Sequence, residues 1–142
     1  MRLVLDTNVV LSALLWGGKP AELINLCATQ AIRLYSSERL LDELAQSLRK
    51  PKLINRVGQT GLAPDQHVAN YRSVVQMVEH GDLARPASRD ADDDFVLACA
   101  QAARANVVVT GDDDLLVLSA WDGIAILTVA ESLSLLKVLR KG

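Results

Sequence analysis

Asp6-Thr7-Asn8 puts a carboxylate, a hydroxyl and a carboxamide at consecutive positions, directly after the apolar run Arg2 to Leu5. Polar groups so close to a core need partners, because burying one unpaired costs on the order of 1–3 kcal/mol. A metal ion with its waters would satisfy Asp6, and Asn8 could orient that carboxylate from behind. The theme returns after Val107 to Val109, where Thr110-Gly111-Asp112-Asp113-Asp114 follows. Gly111 permits a tight exit from a strand. Asp112 and Asp114 are then candidate ligands, and Asp113 reads as solvated. An Asp after a strand can also simply cap the next helix. Two acids at one edge, each followed by further polar groups, favour chemistry over capping.

The densest acidic run is Asp90, Asp92, Asp93 and Asp94, just before Phe95-Val96-Leu97-Ala98. A helix N-terminus attracts negative charge, but this run exceeds what capping requires. Like charges packed together raise one another's pKa values unless a cation intervenes. Spacing alone does not choose among them. Glu43 belongs to a helical segment whose apolar face is Leu40, Leu41, Leu44 and Leu48. It sits roughly 115° from the centre of that face, against roughly 145° for Asp42, and so lies slightly nearer the buried boundary, although on spacing alone a solvated helix flank is the favoured reading. Carboxylate oxygens are hard donors suited to Mg²⁺ or Mn²⁺. No His or Cys stands at the spacing of a zinc site. His67 and His80 read as solvated, and Cys27 and Cys99 as buried free thiols suited to a reducing cytoplasm.

The elements that must position these acids alternate. Arg2 to Leu5, Ile32 to Tyr35, Val107 to Val109 and Ile124 to Val129 are short apolar runs rich in β-branched residues, the pattern of buried parallel strands. Helices are expected over Thr7 to Leu15, Pro20 to Thr29, Ser37 to Arg49, Pro64 to Glu79, Asp92 to Ala105, Asp112 to Ala120 and Glu131 to Leu139. This succession predicts βα units around a mostly parallel sheet, with ligands outside the carboxyl ends of the strands. If the first strand and Val107 to Val109 are neighbours, Asp6 and Asp112 converge there.

Composition sets the remaining bounds. The 142 residues are half apolar and 23% charged, which fits one domain spanning 1–142. With a single Phe, the core must be built from aliphatic packing. A net charge of −2 argues against a module that holds nucleic acid by charge alone. The best local basic patch is Arg49-Lys50-Pro51-Lys52 with Arg56, and Arg85 and Arg89 approach the acid run. No run reaches the roughly 18 apolar residues of a membrane span, and Asp6 interrupts the first one too early for a signal core. A cytoplasmic protein with no membrane association is expected.

Four motifs, in order, resemble the PIN-domain family over nearly the whole chain. They are Leu3-Val4-Leu5-Asp6-Thr7-Asn8-Val9, then Ser36-Ser37 through Leu40-Leu41-Asp42-Glu43-Leu44. Arg89-Asp90-Ala91-Asp92-Asp93-Asp94-Phe95-Val96-Leu97-Ala98 and Val109-Thr110-Gly111-Asp112-Asp113-Asp114-Leu115-Leu116 follow. Within that family the pattern is most similar to VapC-type toxin components of bacterial toxin–antitoxin pairs. The resemblance implies a three-layer α/β/α sandwich with a mostly parallel central sheet and four acids at one end of it. They carry over onto Asp6, Glu43, Asp94 and Asp112, with Asp114 as a fifth candidate and Asn8 and Thr110 in support. Asp94 is preferred because the family's acid directly precedes the Phe-Val-Leu-Ala helix start; Asp93 is its rival.

The implied activity is Mg²⁺- or Mn²⁺-dependent hydrolysis of single-stranded RNA, with a small antitoxin protein as partner and a homodimer as the assembly. A catalytically weak PIN-fold module for RNA binding or dimerisation is the alternative. A phosphorelay receiver domain fits less well, since the paired acids after strand one are absent. A haloacid-dehalogenase-type phosphatase would need an acid where Asn8 stands.

Overall fold

In the computed structural model, which describes residues 1–88 and 91–141, the first strand β1 (Arg2–Leu5) is buried on both faces. Successive residues of a strand point to opposite sides, and β1 shows the consequence. Leu3 and Leu5 belong to one apolar cluster, with Leu34, Val107 and Val109. Val4 belongs to another, with Val108 and Ile126. Two separate cores on one sheet make the three layers.

The chain continues through α1 (Thr7–Trp16), α2 (Gly18–Asn25), a 3₁₀ turn at Leu26–Thr29 and β2 (Arg33–Ser36). Next come α3 (Glu38–Leu48), a second 3₁₀ turn at Pro51–Leu53, α4 (Ile54–Gln59), α5 (Pro64–Arg72) and β3 (Val75–Met77). The second half holds α6 (Ala91–Ala103), β4 (Val107–Val109), α7 (Asp113–Leu116), β5 (Ala120–Trp121), β6 (Ile124–Leu127) and α8 (Val129–Lys141). The six-stranded sheet runs β3-β2-β1-β4-β6-β5. Every pairing is parallel except β5 with β6. Val10 and Leu15 of α1, Leu23 of α2 and Leu133 and Leu136 of α8 pack on the Leu3/Leu5 side. Val96, Leu97, Cys99 and Ala100 of α6 cover the Val4 side. The fold is the expected α/β sandwich.

Three elements depart from the periodicity. The run Pro64 to Glu79 is not one helix: it closes at Arg72, and Val75–Met77 form an edge strand on β2, with Leu34 opposite Val75 and Ser36 opposite Met77. Its β-branched pair Val74-Val75 suits a strand, and the open edge of β2 supplies backbone partners that a longer helix would forgo. The expected helix Asp112 to Ala120 stops at Leu116. Ala120-Trp121 then pairs antiparallel with Ile124 and Ala125 across Asp122-Gly123, both at positive φ (51° and 75°). An Asp-Gly two-residue turn is a strong hairpin signal, and it is present in the sequence. Finally, β6 ends at Leu127 because Thr128 and Glu131 form a reciprocal capping box for α8, with N–H···O distances of 3.1 and 3.0 Å. The short helix α4 has no counterpart among the expected elements.

Candidate metal centre

The centre is built from the pairing of β1 with β4. Leu5 lies opposite Val109, so the residues leaving both strands emerge side by side. The Asp6 amide donates to the Val109 carbonyl at 2.9 Å. Thr110, fully buried, donates its hydroxyl proton to Asp6 Oδ2 at 2.8 Å and accepts the Asp112 amide at 3.0 Å. One hydroxyl therefore ties the two acids together. Asp6 occupies the N-cap position of α1, yet its side chain makes no capping hydrogen bond. The simple capping role is excluded for Asp6. Asp112 does cap α7, taking the Asp114 amide on Oδ1 at 2.9 Å.

The third member comes from the other layer. Asp93, in the first turn of α6, brings a carboxylate oxygen to the same point. Among the described residues Asp6, Asp93 and Asp112 offer oxygens that all lie within 4.8 Å of one another. Asp6 and Asp93 are each 6% exposed. Burial, the nearby Asp112 charge, a hydrogen bond with Asp112 and the Asp6 charge push the Asp93 carboxyl up to about 7, against a lowering hydrogen bond from Ser88. Like charges held this close and this dry need a proton or a cation between them. Three hard oxygen donors in one pocket fit Mg²⁺ or Mn²⁺, and this donor set offers no nitrogen or sulfur to favour zinc.

Asp94, the acid favoured by motif register, stands elsewhere. Its Oδ1 accepts the amides of Ala87 and Ser88 at 3.2 and 2.8 Å. Consecutive helical residues point about 100° apart, so when Asp93 faces the acids Asp94 faces the loop. That loop then returns to the centre, since the Ser88 hydroxyl donates to Asp93 Oδ2 at 3.2 Å. Asp94 thus acts on Asp93 through Ser88, a residue that no sequence signal singles out. Arg89 and Asp90 lie outside the described residues, as does the side chain of Asp92.

The remaining expected residues are not members of the three-acid group. Glu43, half-buried on α3, lines a polar cleft with Arg39, Asp42 and Gln46. Asp114 supplies its backbone amide to Asp112. Asn8 does not brace Asp6: its side chain is exposed and lines a cleft with Ser12, Thr110 and Asp112. Thr110 holds the position that Asn8 was expected to hold.

Both histidines are less solvated than expected. His67 is buried and within 2.9 Å of Thr60 Oγ1, and burial pushes its pKa down. His80 Nε2 lies 2.9 Å from Ser37 Oγ. Two arginines of the basic patch have partners, while Lys50 and Lys52 are exposed. Arg49 pairs with Asp65, and Arg56 donates to the Leu15 carbonyl and lies 5.6 Å from the Trp16 ring centroid. Both cysteines are free, with Cys99 buried and Cys27 half-buried.

The fold is similar to that of VapBC2 from Rickettsia felis, solved bound to a DNA fragment from their promoter. The TM-score is 0.61 at 14% identity, covering 90% of this chain and 98% of that one. The uncharacterized protein MJ1680 of Methanocaldococcus jannaschii is 29% identical over 119 residues, which are 83% of this chain and 75% of that protein. The sequence profile of the PIN domain matches residues 2–114, a span that contains Asp6, Asp93 and Asp112. The chain belongs to the PIN-domain family.

Proposed function

We propose that this protein is a Mg²⁺- or Mn²⁺-dependent endoribonuclease that hydrolyses single-stranded RNA. The observation that carries the reading is the meeting of Asp6, Asp93 and Asp112 within 4.8 Å at the carboxyl ends of β1 and β4. These three would hold the ion, with Glu43 and Asp114 contacting it through water. Bound there, the ion would lower the pKa of a water and stabilise charge on the leaving oxygen of a phosphodiester. Thr110 keeps Asp6 in one orientation. Ser88, itself braced by Asp94, does the same for Asp93. The first turn of α1 opens at this edge, where the helix dipole favours an anionic phosphate.

The likeness to VapBC2 and the sequence motifs support a role as toxin component, with a small antitoxin partner and a homodimeric assembly. Large apolar side chains left exposed, Trp16 on α1, Ile54 on α4 and Val138 and Leu139 on α8, offer surface for protein contacts. No helix of the described residues is long and apolar enough to cross a membrane, and a cytoplasmic site of action suits the substrate. Mn²⁺ titration against both melting temperature and cleavage of single-stranded RNA tests the proposal. Stabilisation and cleavage should saturate together. A protein whose melting ignores Mn²⁺ and which leaves RNA intact would instead be a binding module.

A further inference from the structure

A cleft of about 350 Å³ opens directly beside the acids, and Asp112 and Thr110 form part of its wall. The remaining lining is uncharged. Val9, Pro20 and Val129 give apolar contact, while Asn8, Ser12 and Thr128 give polar groups. Asn8 and Ser12 are four residues apart on α1 and so share one helix face. The Asn8 carboxamide is exposed and makes no hydrogen bond to any described residue. It therefore has a donor and an acceptor to offer a ligand. From this arrangement we infer that the cleft is a nucleobase subsite next to the scissile phosphate, and that Asn8 reads an adenine there.

The chemistry of the cleft selects that ligand. A flat, largely apolar ring with a polar edge matches apolar walls that end in one carboxamide. A carboxamide recognises a base that presents an N–H donor beside an acceptor, and adenine is the usual partner of Asn. In a single strand adenine presents that pair on two edges, N6–H with N1 and N6–H with N7. Cytosine presents such a pair once, guanine as N1–H with O6 and N2–H with N3, and uracil as N3–H with either carbonyl. The assignment to adenine therefore rests on its being the base that an Asn carboxamide usually pairs with. A base seated against Asp112 has its own phosphate within reach of the acid group, so recognition and cleavage are coupled by geometry. The substrate class rests on the nuclease reading proposed above; the cleft and its free carboxamide do not.

The test is calorimetric titration of AMP, CMP, GMP and UMP, with Mn²⁺ present, into the wild-type protein, Asn8→Ala and Asn8→Asp. AMP should bind the wild type about tenfold more tightly than the other three. Asn8→Ala should bring the four to within about twofold, and Asn8→Asp, which has two acceptors and no donor, should shift the ratio toward GMP. Mn²⁺ affinity, measured separately, should change less than about twofold in Asn8→Ala, because Asn8 is not bonded to Asp6.

Equal affinity for the four nucleotides, or none, overturns the inference. So does an adenine preference that survives in Asn8→Ala, or a parallel loss of Mn²⁺ affinity, which would make Asn8 a metal-positioning residue. RNA hydrolysis is scored apart. Adenine preference without hydrolysis sinks the nuclease reading and leaves the subsite; hydrolysis without adenine preference does the reverse.

Discussion

The hydroxyl of Thr110 reaches Asp6 Oδ2 across 104 positions of sequence, at 2.8 Å. It also takes the Asp112 amide. Replacing Thr110 with Val removes both bonds while keeping the side-chain shape. The expected cost is about 1–3 kcal/mol of stability and about 10- to 100-fold in Mn²⁺ affinity. Thr110→Ser should recover most of the affinity. Denaturant melts and Mn²⁺ titrations of the two variants would show it, and equal metal affinity in Thr110→Val would remove Thr110 from the centre.

Asp6→Asn keeps the shape of the side chain and an oxygen that can still accept from Thr110. It removes one of the crowded charges. The metal-free protein should melt at the same temperature or slightly higher, while Mn²⁺-induced stabilisation disappears and cleavage of RNA drops at least about 10³-fold. Full nuclease activity in Asp6→Asn would refute its assignment as a ligand.

Asp93 and Asp94 should separate cleanly. Asp93→Asn is expected to abolish Mn²⁺-induced stabilisation. Asp94→Asn retains an oxygen for the Ala87 and Ser88 amides, so its kcat/KM should stay within about tenfold of wild type. Asp94→Ala frees the loop that holds Ser88 and should fall between the two. The reverse ranking would restore the acid chosen by motif register.

The raised pKa of Asp93 makes stability depend on pH with a definite sign. An unfolded Asp releases its proton near about 4, whereas the folded protein holds the Asp93 proton up to about 7. Between those values the folded state binds more protons, so the metal-free protein loses stability as pH rises from about 4 to about 7, and the loss is complete above that. His67, with its pKa pushed down by burial, acts in the opposite sense as its ordinary value near about 6.5 is approached from above. The comparison must therefore be wild type against Asp93→Asn, in which the Asp93 contribution vanishes and the His67 contribution remains. Saturating Mn²⁺ should also remove it, with about one proton released per ion bound at pH 6 and fewer at pH 8. Identical pH profiles for the two proteins would show that Asp93 carries no such proton.

The sheet and the whereabouts of its acids were legible along the chain, because they depend on local patterns. Leu3-Val4-Leu5 and Val107-Val108-Val109 are apolar on successive residues, the pattern of a strand buried on both faces, and an acid follows each run, Asp6 at once and Asp112 after Thr110-Gly111. Parallel pairing then aligns the ends, and Asp6 and Asp112 meet once β4 lies beside β1, the one condition that the sequence left open.

What local pattern could not supply was direction and partnership. Whether Asp93 or Asp94 enters the centre depends on the rotation of α6 against the sheet, set by Val96, Leu97 and Ala100 packing on Val4 and Val108. Val75–Met77 became a strand because β2 offered an open edge, a fact absent from the run itself. The brace on Asp6 came from Thr110 rather than its neighbour Asn8, since β4 carries Thr110 beneath the carboxylate while α1 turns Asn8 outward. Periodicity along a chain reports which faces are buried; which side chains touch is decided only when separate elements pack, because those contacts join residues far apart in sequence.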